Sequence, residues 1–452
     1  MTNLMTSKLK TFVGGIHPRE DGKSLTKYRK EVPAPIPKTV YLLMNQHIGA
    51  PCKPTVKKGD SVKKGQQVGE SQGFVSANVH ASVSGKVIDV TPWPHPLTGI
   101  KSTAVIIERT EDDDSWAEEA DIPADIDRIT PDEIIENIKS AGIVGLGGGT
   151  FPTHVKLTPP KDRTIDTIVL NGAECEPYLT CDYRLMMDKP HEIIQGLKLV
   201  MKCVGCKQAH IGIEANKEDA YALFKDILSN EPHIKVDLLE VKYPQGAEHQ
   251  LIKALLNREL KPTQLPLEVG AIVINTGTAF AIYEAVKFKR PLIQRIVTVT
   301  GDGVEKPQNF LVRIGTPVKT LLEEVQAISN PDKVIFGGPM MGIAQGNINS
   351  AVTIKGTGGI LAIKHAGNYH SQACIRCGRC IDSCPYGLNP SELSIQCEAK
   401  EVQQALANNI IECKECGCCT YICPAKRPIV HLIKFTKAEI IKQKAQRTVS
   451  VG

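Results

Sequence analysis

The sequence predicts a multidomain α/β protein with four folded parts: a small N-terminal β barrel, a central α/β domain, a β-rich module and a helical C-terminal domain. Three observations lead to this prediction. The chain has 452 residues, too many for one hydrophobic core. Apolar β-type runs alternate with helical runs through its middle. Eight of its fifteen cysteines fall in two matching groups near the C-terminus, on either side of a stretch rich in helix formers.

Composition narrows the class of protein. Hydrophobic residues make up 42% of the chain and charged residues 23%, which is ordinary for a soluble globular protein. The net charge of +5 is too small to indicate a nucleic-acid partner. The start, Met1 to Lys10, is polar and does not predict a signal peptide. The longest uncharged apolar run, Val269 to Tyr283, is too short to span a bilayer, so we expect a soluble intracellular protein.

The first part of the chain divides into an N-terminal arm, residues 1–35, and a strand-rich segment, residues 36–110. Short strands and glycine turns make this second segment similar to a lipoyl or biotinyl carrier barrel. Carrier domains present a modified lysine between their two halves, but residues 69–85 contain no lysine. We therefore expect a lipoyl-like barrel with a structural or docking role rather than a swinging arm.

The α/β domain is predicted over residues 128–290, after an acidic stretch at 111–127 that is typical of a solvated linker. Its first helix has clear boundaries: Thr130 is the expected N-cap, Glu133 completes a capping box, and Gly142 ends the helix. Strand-like runs then alternate with helix candidates, which predicts a largely parallel sheet. The runs begin at Thr167, Ala209, Ile234 and Gly270, and the helix candidates span 191–201, 218–228 and 245–256. Short strands with glycine turns return over residues 291–360 as a small β-rich module.

A glycine-rich loop is the main candidate for a ligand site in the α/β domain. Five glycines occur between Gly142 and Gly149, so backbone N–H groups can approach a phosphate or a flat ring closely. Asn171, Glu174 and Glu176 follow the next strand, at the edge where open α/β sheets bind ligands. Lys156 is a candidate phosphate contact. An exposed loop without a ligand is the alternative interpretation of the two carboxylates.

The two cysteine groups share one spacing. Both read C-x2-C-x2-C-x3-C-P, the run of bacterial-type ferredoxins in which the fourth cysteine ligates the other cluster. We therefore predict two [4Fe–4S] clusters, one held by Cys374, Cys377, Cys380 and Cys423, and the other by Cys413, Cys416, Cys419 and Cys384. A pair of zinc sites is the alternative, although zinc motifs usually place two C-x2-C pairs well apart.

These cysteines belong to a predicted domain spanning residues 365–427. The segment from Pro390 to Asn409 predicts a helix of four or five turns, so the domain resembles the helical ferredoxins inside large oxidoreductases. Cys397 and Cys418 are expected to be bystanders. The tail, residues 428–452, is amphipathic and basic, and we favour packing against the neighbouring domain over contact with an anionic membrane surface.

Together these motifs resemble those of a known family. The runs G-x-G-G-x-x-F-P-T-x-x-K, N-x-x-E-x-E-P and Y-x-x-G-x-E are similar to those of the flavin-bearing, NADH-oxidising subunit of respiratory complex I. With the segment Gly14 to Pro18, the lysine-free barrel and the two ferredoxin runs, nearly the whole chain resembles the RnfC subunit of the Rnf electron transport complex. That complex is a membrane-associated NADH:ferredoxin oxidoreductase that translocates ions. The module at 291–360 resembles the β-grasp (SLBB) module of the same proteins.

The resemblance implies a set of cofactor contacts. FMN would pack against the loop glycines Gly145, Gly147, Gly148 and Gly149, with its phosphate near Lys156. It would accept or donate hydrogen bonds at Asn171 and Asn275, and the carboxylates of Glu174 and Glu176 would border the flavin and the nicotinamide. NADH would stack on Phe151 and contact Tyr243, Gly246 and Glu248. Compared with the complex I subunit, Leu146 replaces an arginine, Ala173 replaces an aspartate, and Pro159 stands in place of a second aromatic.

The function implied by the resemblance is that of an oxidoreductase subunit that oxidises NADH at FMN and passes electrons through the two clusters. Hydride transfer leaves no proton to remove from NAD+, so no side chain is expected to act as a catalytic acid or base. The expected partners are integral membrane subunits and another iron–sulfur, ferredoxin-like subunit, at the cytoplasmic face of the bacterial inner membrane. Two alternatives stay open: a soluble flavin and iron–sulfur corrinoid reductase, and a non-catalytic relay or scaffold.

Overall fold

The structure is a computed structural model that describes residues 9–110, 113–367 and 370–449, without the side chains of Asp21 and of residues 444–449. The start of the arm (1–8), two acidic residues of the predicted linker (111 and 112) and the end of the tail (450–452) lie outside the described residues. No helix in the described part of the chain is long and apolar enough to cross a membrane. Besides the elements below, short 3-10 turns occur at Asp21–Leu25, Ala215–Lys217, Pro266–Val269, Ile348–Ser350 and Ile410–Glu412.

The N-terminal arm is bound to the rest of the molecule at several points. Its strand β1 (Val32–Pro33) pairs in parallel with a later strand at Phe310 and Leu311. Upstream, Lys10 and Ile16 form backbone bridges to residues of the α/β domain. The arm therefore ties the α/β domain to the β-rich module.

The barrel is built from two small antiparallel sheets. One sheet has the strand order β2-β8-β7-β4 and the other has the order β3-β5-β6. Val40 and Leu42 are fully buried on alternate positions of β2, as one buried face of a strand requires. The strands are β2 (Thr39–Leu43), β3 (Lys53–Pro54), β4 (Ser61–Val62), β5 (Gln67–Glu70), β6 (Val79–His80), β7 (Gly85–Pro94) and β8 (Lys101–Arg109).

The acidic stretch after the barrel is more ordered than the predicted solvated linker. The ammonium of Lys64, which is 5% exposed, pairs with Asp114 at 2.7 Å and lies 4.6 Å from the centre of the Trp116 ring. Further on, the backbone N–H of Ile122 donates to the carbonyl of Phe288 at 2.8 Å. Burial of a lysine requires a partner charge, so the acidic residues hold this segment on the barrel.

The α/β domain contains the predicted parallel sheet, in the order β11-β10-β9-β12. Its first helix has the predicted capping box of Thr130 and Glu133. The elements are α1 (Pro131–Ser140), α2 (Thr153–Lys156), β9 (Thr167–Gly172), α3 (Cys181–Asp188), α4 (Pro190–Val204), β10 (Gln208–Glu214), α5 (Glu218–Ile227), β11 (Ile234–Leu239), α6 (Glu248–Leu256), β12 (Ala271–Asn275) and α7 (Thr276–Phe288).

The β-rich module forms a six-stranded mixed sheet with the order β1-β14-β13-β17-β15-β16. It runs slightly past the expected boundary at 360, because its last strand pairs with β13 in parallel and with β15 in antiparallel fashion through residue 363. The elements are β13 (Gln294–Thr300), β14 (Gln308–Arg313), α8 (Val318–Glu324), β15 (Lys333–Phe336), β16 (Ile343–Ala344) and β17 (Gly359–Ile363).

Where the structure describes the cysteine-rich part, it contains five α-helices: α9 (Arg379–Asp382), α10 (Pro390–Glu398), α11 (Val402–Ala407), α12 (Cys418–Ile422) and α13 (Ile429–Val449). The single helix expected between the cysteine groups is two helices. Lys400 takes a left-handed φ of 60°, and the N–H of Glu401 closes the turn on the carbonyl of Gln396 at 2.8 Å. This turn lets Leu393 of α10 and Ala405 of α11 bury their side chains in one core.

Gly196 makes the close packing of α4 on α7 possible. A Cβ at this position would lie 1.9 Å from the carbonyl oxygen of Ala279. We predict that Gly196→Ala lowers the free energy of unfolding by about 1–3 kcal/mol or more, since the two helices must separate. Thermal denaturation followed by circular dichroism measures the effect. Gly346→Ala is the matched control, because a Cβ there meets nothing within 4 Å; equal melting temperatures for the two variants would contradict the packing argument.

Candidate functional site

Two asparagines lie side by side at the carboxyl end of the parallel sheet. Asn275 of β12 is in register with Asn171 of β9. The Asn275 side chain accepts from the N–H groups of Gly277 and Thr278 at 2.9 and 3.3 Å, which caps α7, and donates to Asp182 at 2.7 Å. Parallel pairing thus places both amides where open sheets bind ligands.

The glycine loop folds over this edge of the sheet. Gly145 and Phe151 close it through a backbone hydrogen bond of 2.9 Å, and the N–H of Leu146 donates to the hydroxyl of Thr278 at 2.8 Å. A Cβ on Gly147 would lie 3.4 Å from the Cβ of Asn275. Gly148 has a φ of +104° and faces open space. The loop therefore leaves a cradle beside the asparagines that side chains would fill, which fits a flat ring and its phosphate.

Lys156, at the end of α2, reaches the same edge. Its ammonium donates to Glu248 at 2.6 Å and to the carbonyl of Val273 in β12 at 3.0 Å. The structure therefore brings the expected phosphate contact and one expected dinucleotide contact into a single, partly buried ion pair. Phe151, the expected stacking residue, is half-buried at the end of the glycine loop.

The two carboxylates of the Asn171 loop accept hydrogen bonds from backbone N–H groups. Glu174 accepts from Asp182 and Tyr183 at the start of α3, at 2.7 and 3.3 Å. Glu176 accepts from Met340 and Met341 of the β-rich module, at 3.0 and 2.9 Å. Burial raises the pKa of each carboxyl to about 7. These groups anchor their loop on both sides, in addition to any contact with a cofactor.

Lys23 organises the same loop, and sequence reasoning missed it. Its ammonium, on the N-terminal arm, donates to the carbonyl oxygens of Glu174, Glu176 and Leu179 at 2.8, 2.9 and 2.8 Å. The side chain is 5% exposed, and burial lowers its pKa. Because the lysine lies about 150 residues before its acceptors, its spacing carries no signal of the contact.

The segment from Tyr243 to Gly246 contacts two parts of the molecule. The carbonyl of Gly246 accepts from Asn171 at 2.8 Å, so this end belongs to the cleft. Tyr243 is 1% exposed, and its hydroxyl donates to the carbonyl of Cys416 at 2.8 Å. Between them, Gln245 is fully buried, and neither polar atom of its amide has a hydrogen-bond partner among the described residues. A buried amide requires a partner, so a bound polar group or water fits there.

The eight predicted ligand cysteines line two cavities, four to each. Cys384 lines one cavity together with Cys413, Cys416 and Cys419; we call it the inner cavity. Cys423 lines the other together with Cys374, Cys377 and Cys380; we call it the outer cavity. The fourth cysteine of each run thus faces the three of the other run, as the ferredoxin spacing predicts. Burial raises the pKa of Cys413 to about 11, so this free thiol holds its proton at neutral pH.

Two further cysteines are buried near these cavities. The thiol of Cys418 is directed at the carbonyl of Tyr243, at 3.8 Å, although its residue also borders the inner cavity. Cys397 is 7% exposed and packs in the core of the helical part. A separate cavity is lined in part by Leu146, Phe280 and Arg290, and its lining includes none of the expected cofactor contacts.

Family models match the chain in four places. They describe an RnfC barrel sandwich hybrid domain at residues 10–112, a Nuo51 FMN-binding domain at 138–284, an SLBB domain at 296–344 and a 4Fe-4S binding domain at 369–388. These matches confirm the predicted series of a barrel, an FMN-binding domain, an SLBB module and an iron–sulfur domain. The last match favours [4Fe–4S] binding over zinc for the first cysteine group.

Three curated proteins are similar to the chain over most of its length, and each is the subunit designated C of its complex. The one from the proton-translocating ferredoxin:NAD(+) oxidoreductase complex of Clostridium ljungdahlii is 45% identical, covering 95% of this chain and 94% of that protein. The one from the Na(+)-translocating ferredoxin:NAD(+) oxidoreductase complex of Acetobacterium woodii is 44% identical, covering 97% and 99%. The one from the ion-translocating oxidoreductase complex of Rhodobacter capsulatus is 38% identical, covering 96% and 84%.

The arm lysine gives a first test of how the cleft is held. Lys23→Met leaves three carbonyl acceptors without their donor, so we predict a loss of stability of at least about 2 kcal/mol. Lys27→Met is the matched control, because Lys27 donates to one carbonyl, that of Asn216, and is less buried. Thermal denaturation measures both. Equal melting temperatures would show that the arm does not support the loop.

The raised pKa of Glu176 predicts a dependence of stability on pH. Its pKa is about 7 in the folded protein against an ordinary value of 4.5. The folded state holds the proton of Glu176 more tightly than the unfolded state does. The stability that this proton contributes is therefore fully present below about pH 4.5 and is lost as the pH rises through about 7. As the pH rises from 5 to 8, the free energy of unfolding of the wild type should fall by up to about 3 kcal/mol more than that of Glu176→Gln. Melting temperatures across this range measure the difference. Glu118→Gln, at an exposed glutamate, is the control. Parallel curves of melting temperature against pH for the wild type and Glu176→Gln would contradict the prediction.

Proposed function

Since the chain belongs to the RnfC family, the members of which are subunits of ion-translocating ferredoxin:NAD(+) oxidoreductase complexes, we propose that it is the subunit in which NADH or NAD+ exchanges a hydride with FMN. Two [4Fe–4S] clusters then connect the flavin to other subunits. One observation carries this proposal: the glycine loop, Asn171 and Asn275 meet at one edge of the parallel sheet, and the wall of the inner cavity is hydrogen-bonded to the same domain.

The residues around the cradle would hold FMN. Gly145, Gly147, Gly148 and Gly149 leave room for the ring and phosphate, Lys156 supplies positive charge, and Asn171 and Asn275 supply amide hydrogen bonds. Asn275 is already oriented by α7 and Asp182, so its position is defined before any cofactor binds. When bound, FMN accepts a hydride and releases electrons singly, which side chains cannot do.

NADH would approach from the open side of the glycine loop, where Phe151 is half-buried. Glu248, at the start of α6, pairs with Lys156, and the carbonyl of Gly246 accepts from Asn171, so both residues belong to the same cleft. The chain's role is to align the nicotinamide and exclude water, because hydride transfer needs no side-chain base. Glu174 and Glu176 act mainly by fixing the loop that borders this space.

The eight cysteines would bind two clusters in a helical ferredoxin-like domain. The inner cavity uses Cys413, Cys416, Cys419 and Cys384, and the outer cavity uses Cys374, Cys377, Cys380 and Cys423. The lining of the two cavities supports this pairing. Eight thiols in two sets of four match the donor set that such clusters require.

The partners follow from the same family. The relatives are named as subunits of ion-translocating complexes, so this chain would transfer electrons to and from a further iron–sulfur subunit next to integral membrane subunits. We place it at the cytoplasmic face of the bacterial inner membrane, as a peripheral subunit. The alignments with the first two relatives, at 45% and 44% identity, cover 94% and 99% of those proteins, which disfavours the alternative of a corrinoid reductase.

An anaerobic titration of the reconstituted chain with NADH tests the proposal. Flavin absorbance should bleach first, and the EPR signals of reduced clusters should follow. NADPH at the same concentration provides a comparison for the nucleotide. If dithionite reduces the clusters while NADH leaves flavin and clusters oxidised, the chain is a relay and the proposed hydride exchange is wrong.

The cradle itself is tested by filling it. Gly147→Val places a branched side chain beside Asn275, in the space that the flavin would occupy, so we predict that flavin content falls to roughly a tenth or less of wild type, a loss of about 1.4 kcal/mol or more of binding free energy. Gly346→Val is the matched control at an open glycine. Flavin is measured by absorbance after reconstitution, and cluster EPR after dithionite verifies that the rest of the chain is folded. Full flavin content in Gly147→Val would place the FMN elsewhere.

A further inference from the structure

The β-rich module contributes a short segment that lies against the glycine loop of the α/β domain. It consists of residues 355–357, just before β17, and we call it the support segment. The ammonium of Lys355 donates to the carbonyl of Gly142 at 2.7 Å, at the start of the glycine loop. A Cβ on Gly356 would lie 2.7 Å from Cγ2 of Thr150, at the end of the same loop. The support segment therefore contacts the glycine loop on both sides of the cradle.

Arg295 of β13 holds the middle of the glycine loop. Its side chain is 8% exposed, and its guanidinium donates to the carbonyl of Leu146 at 3.2 Å and to the carbonyl of Lys355 at 2.6 Å. The N–H of Leu146 donates to the hydroxyl of Thr278 on α7 at 2.8 Å. The N–H and the carbonyl of Leu146 thus have partners on two different elements, and the glycines on either side of Leu146 are held in place.

Lys355 joins the same loop to the barrel. Its side chain is 1% exposed, and its ammonium donates to the carbonyl of Asn78 at 2.6 Å as well as to that of Gly142. Its backbone N–H donates to the side-chain oxygen of Gln46 at 3.0 Å. Burial lowers the pKa of Lys355 to about 8. Because a buried ammonium is stable only with hydrogen-bond partners, these contacts set the position of the Gly142 carbonyl closely.

The charge of Arg295 also affects the opposite wall of the cradle. Asp182 accepts a hydrogen bond from the side chain of Asn275 at 2.7 Å. Burial raises the pKa of Asp182, and the positive charge of Arg295 is the largest of the effects that oppose this rise. An ionised carboxylate is the stronger acceptor. Arg295 therefore acts on the glycine loop directly and on Asn275 through Asp182.

The two cations bind backbone rather than carboxylates. In the described part of the chain, every hydrogen bond from the Arg295 guanidinium and the Lys355 ammonium ends on a carbonyl oxygen. Such bonds define the path of the backbone, and charged donors form the stronger ones. Buried groups that orient the residues of a binding site from behind pre-organise that site for its ligand.

We propose that Arg295 and Lys355 of the β-rich module are positioning residues of the FMN site, which hold the glycine loop in the shape that accepts the flavin and its phosphate. This rests on the proposed function. Neither residue is a catalytic residue, because each acts through the backbone of the glycine loop, and Arg295 acts also through Asp182. The β-rich module is thus a wall of the cradle and contributes directly to the affinity for FMN.

A matched pair of arginine variants tests this role. Arg295→Met and Arg313→Met each remove a largely buried guanidinium from paired strands of the module, but Arg313 binds Asp114 of the acidic stretch and not the glycine loop. The full chain, reconstituted with its clusters, is titrated anaerobically with FMN, and quenching of flavin fluorescence gives the Kd. We expect the Kd to rise about tenfold or more in Arg295→Met and to stay within about twofold of wild type in Arg313→Met.

The midpoint potential of the bound flavin separates positioning from a purely structural role. At saturating FMN, Arg295→Met should lower this potential, because a positive charge that stabilises the reduced, anionic flavin is lost. Arg313→Met should leave it unchanged. A lower melting temperature of Arg295→Met with the wild-type Kd and potential, or equal changes of Kd in the two variants, would overturn the proposal.

A steric variant tests the support segment while every hydrogen bond of the two cations is kept. In Gly356→Ala the new Cβ would meet Cγ2 of Thr150, so the end of the glycine loop must shift, and we expect the Kd for FMN to rise roughly fivefold. Thr150→Ser removes that methyl carbon. The double variant should therefore bind FMN within about twofold of Thr150→Ser alone. Wild-type affinity in Gly356→Ala, or a double variant as weak as Gly356→Ala, contradicts the proposal.

Failure of the proposed function gives a different result. If the wild-type chain binds no FMN, the proposed function is refuted before any variant is compared. If the wild type binds FMN and the variants bind it equally well, only the positioning role is refuted.

Discussion

The parallel pairing of β9 with β12 is the constraint on which the rest of the site depends. It places Asn171 next to Asn275, and those two residues determine where the other parts attach. Asn275 caps α7, whose first turn holds the glycine loop through Thr278. Asn171 binds the carbonyl of Gly246, which positions the segment leading to Tyr243 and the inner cavity. A shift of register between these strands would separate the cleft from the cysteine domain.

Long-range contacts from the N-terminal arm hold the domains in this arrangement. Lys23 binds three carbonyls of the Asn171 loop, Ile16 pairs with Tyr243, and β1 extends the sheet of the β-rich module. The β-rich module in turn binds Glu176 through two N–H groups. The site is therefore shared among the arm, the α/β domain, the module and the cysteine domain, and it cannot be assigned to the α/β domain alone.

Local signals in the sequence predicted the features that depend on local physics. The capping box at Thr130 and the parallel sheet follow from short-range patterns, and the structure contains both. The four-to-four division of the cysteines follows from their spacing, and the lining of the two cavities is consistent with it. The helix after Pro390 was predicted as one unit, because the residues around Lys400 are good helix formers and the turn is set by burial of Leu393 and Ala405 in a common core. Lys23 and the contact between Tyr243 and Cys416 join residues more than 150 positions apart, and no spacing in a single sequence records such pairs.

Iron-edge anomalous diffraction from crystals of the reconstituted chain, with the flavin located in the same maps, tests the central claim most directly. The account predicts two iron clusters, with Cys384 bound to the cluster of Cys413, Cys416 and Cys419, and with the flavin between the glycine loop and the two asparagines. It also predicts that this cluster is the nearer one to the flavin. Three results would contradict it: iron held by each cysteine run separately, a flavin in the cavity lined by Leu146, Phe280 and Arg290, or the cluster of Cys377 nearest to the flavin.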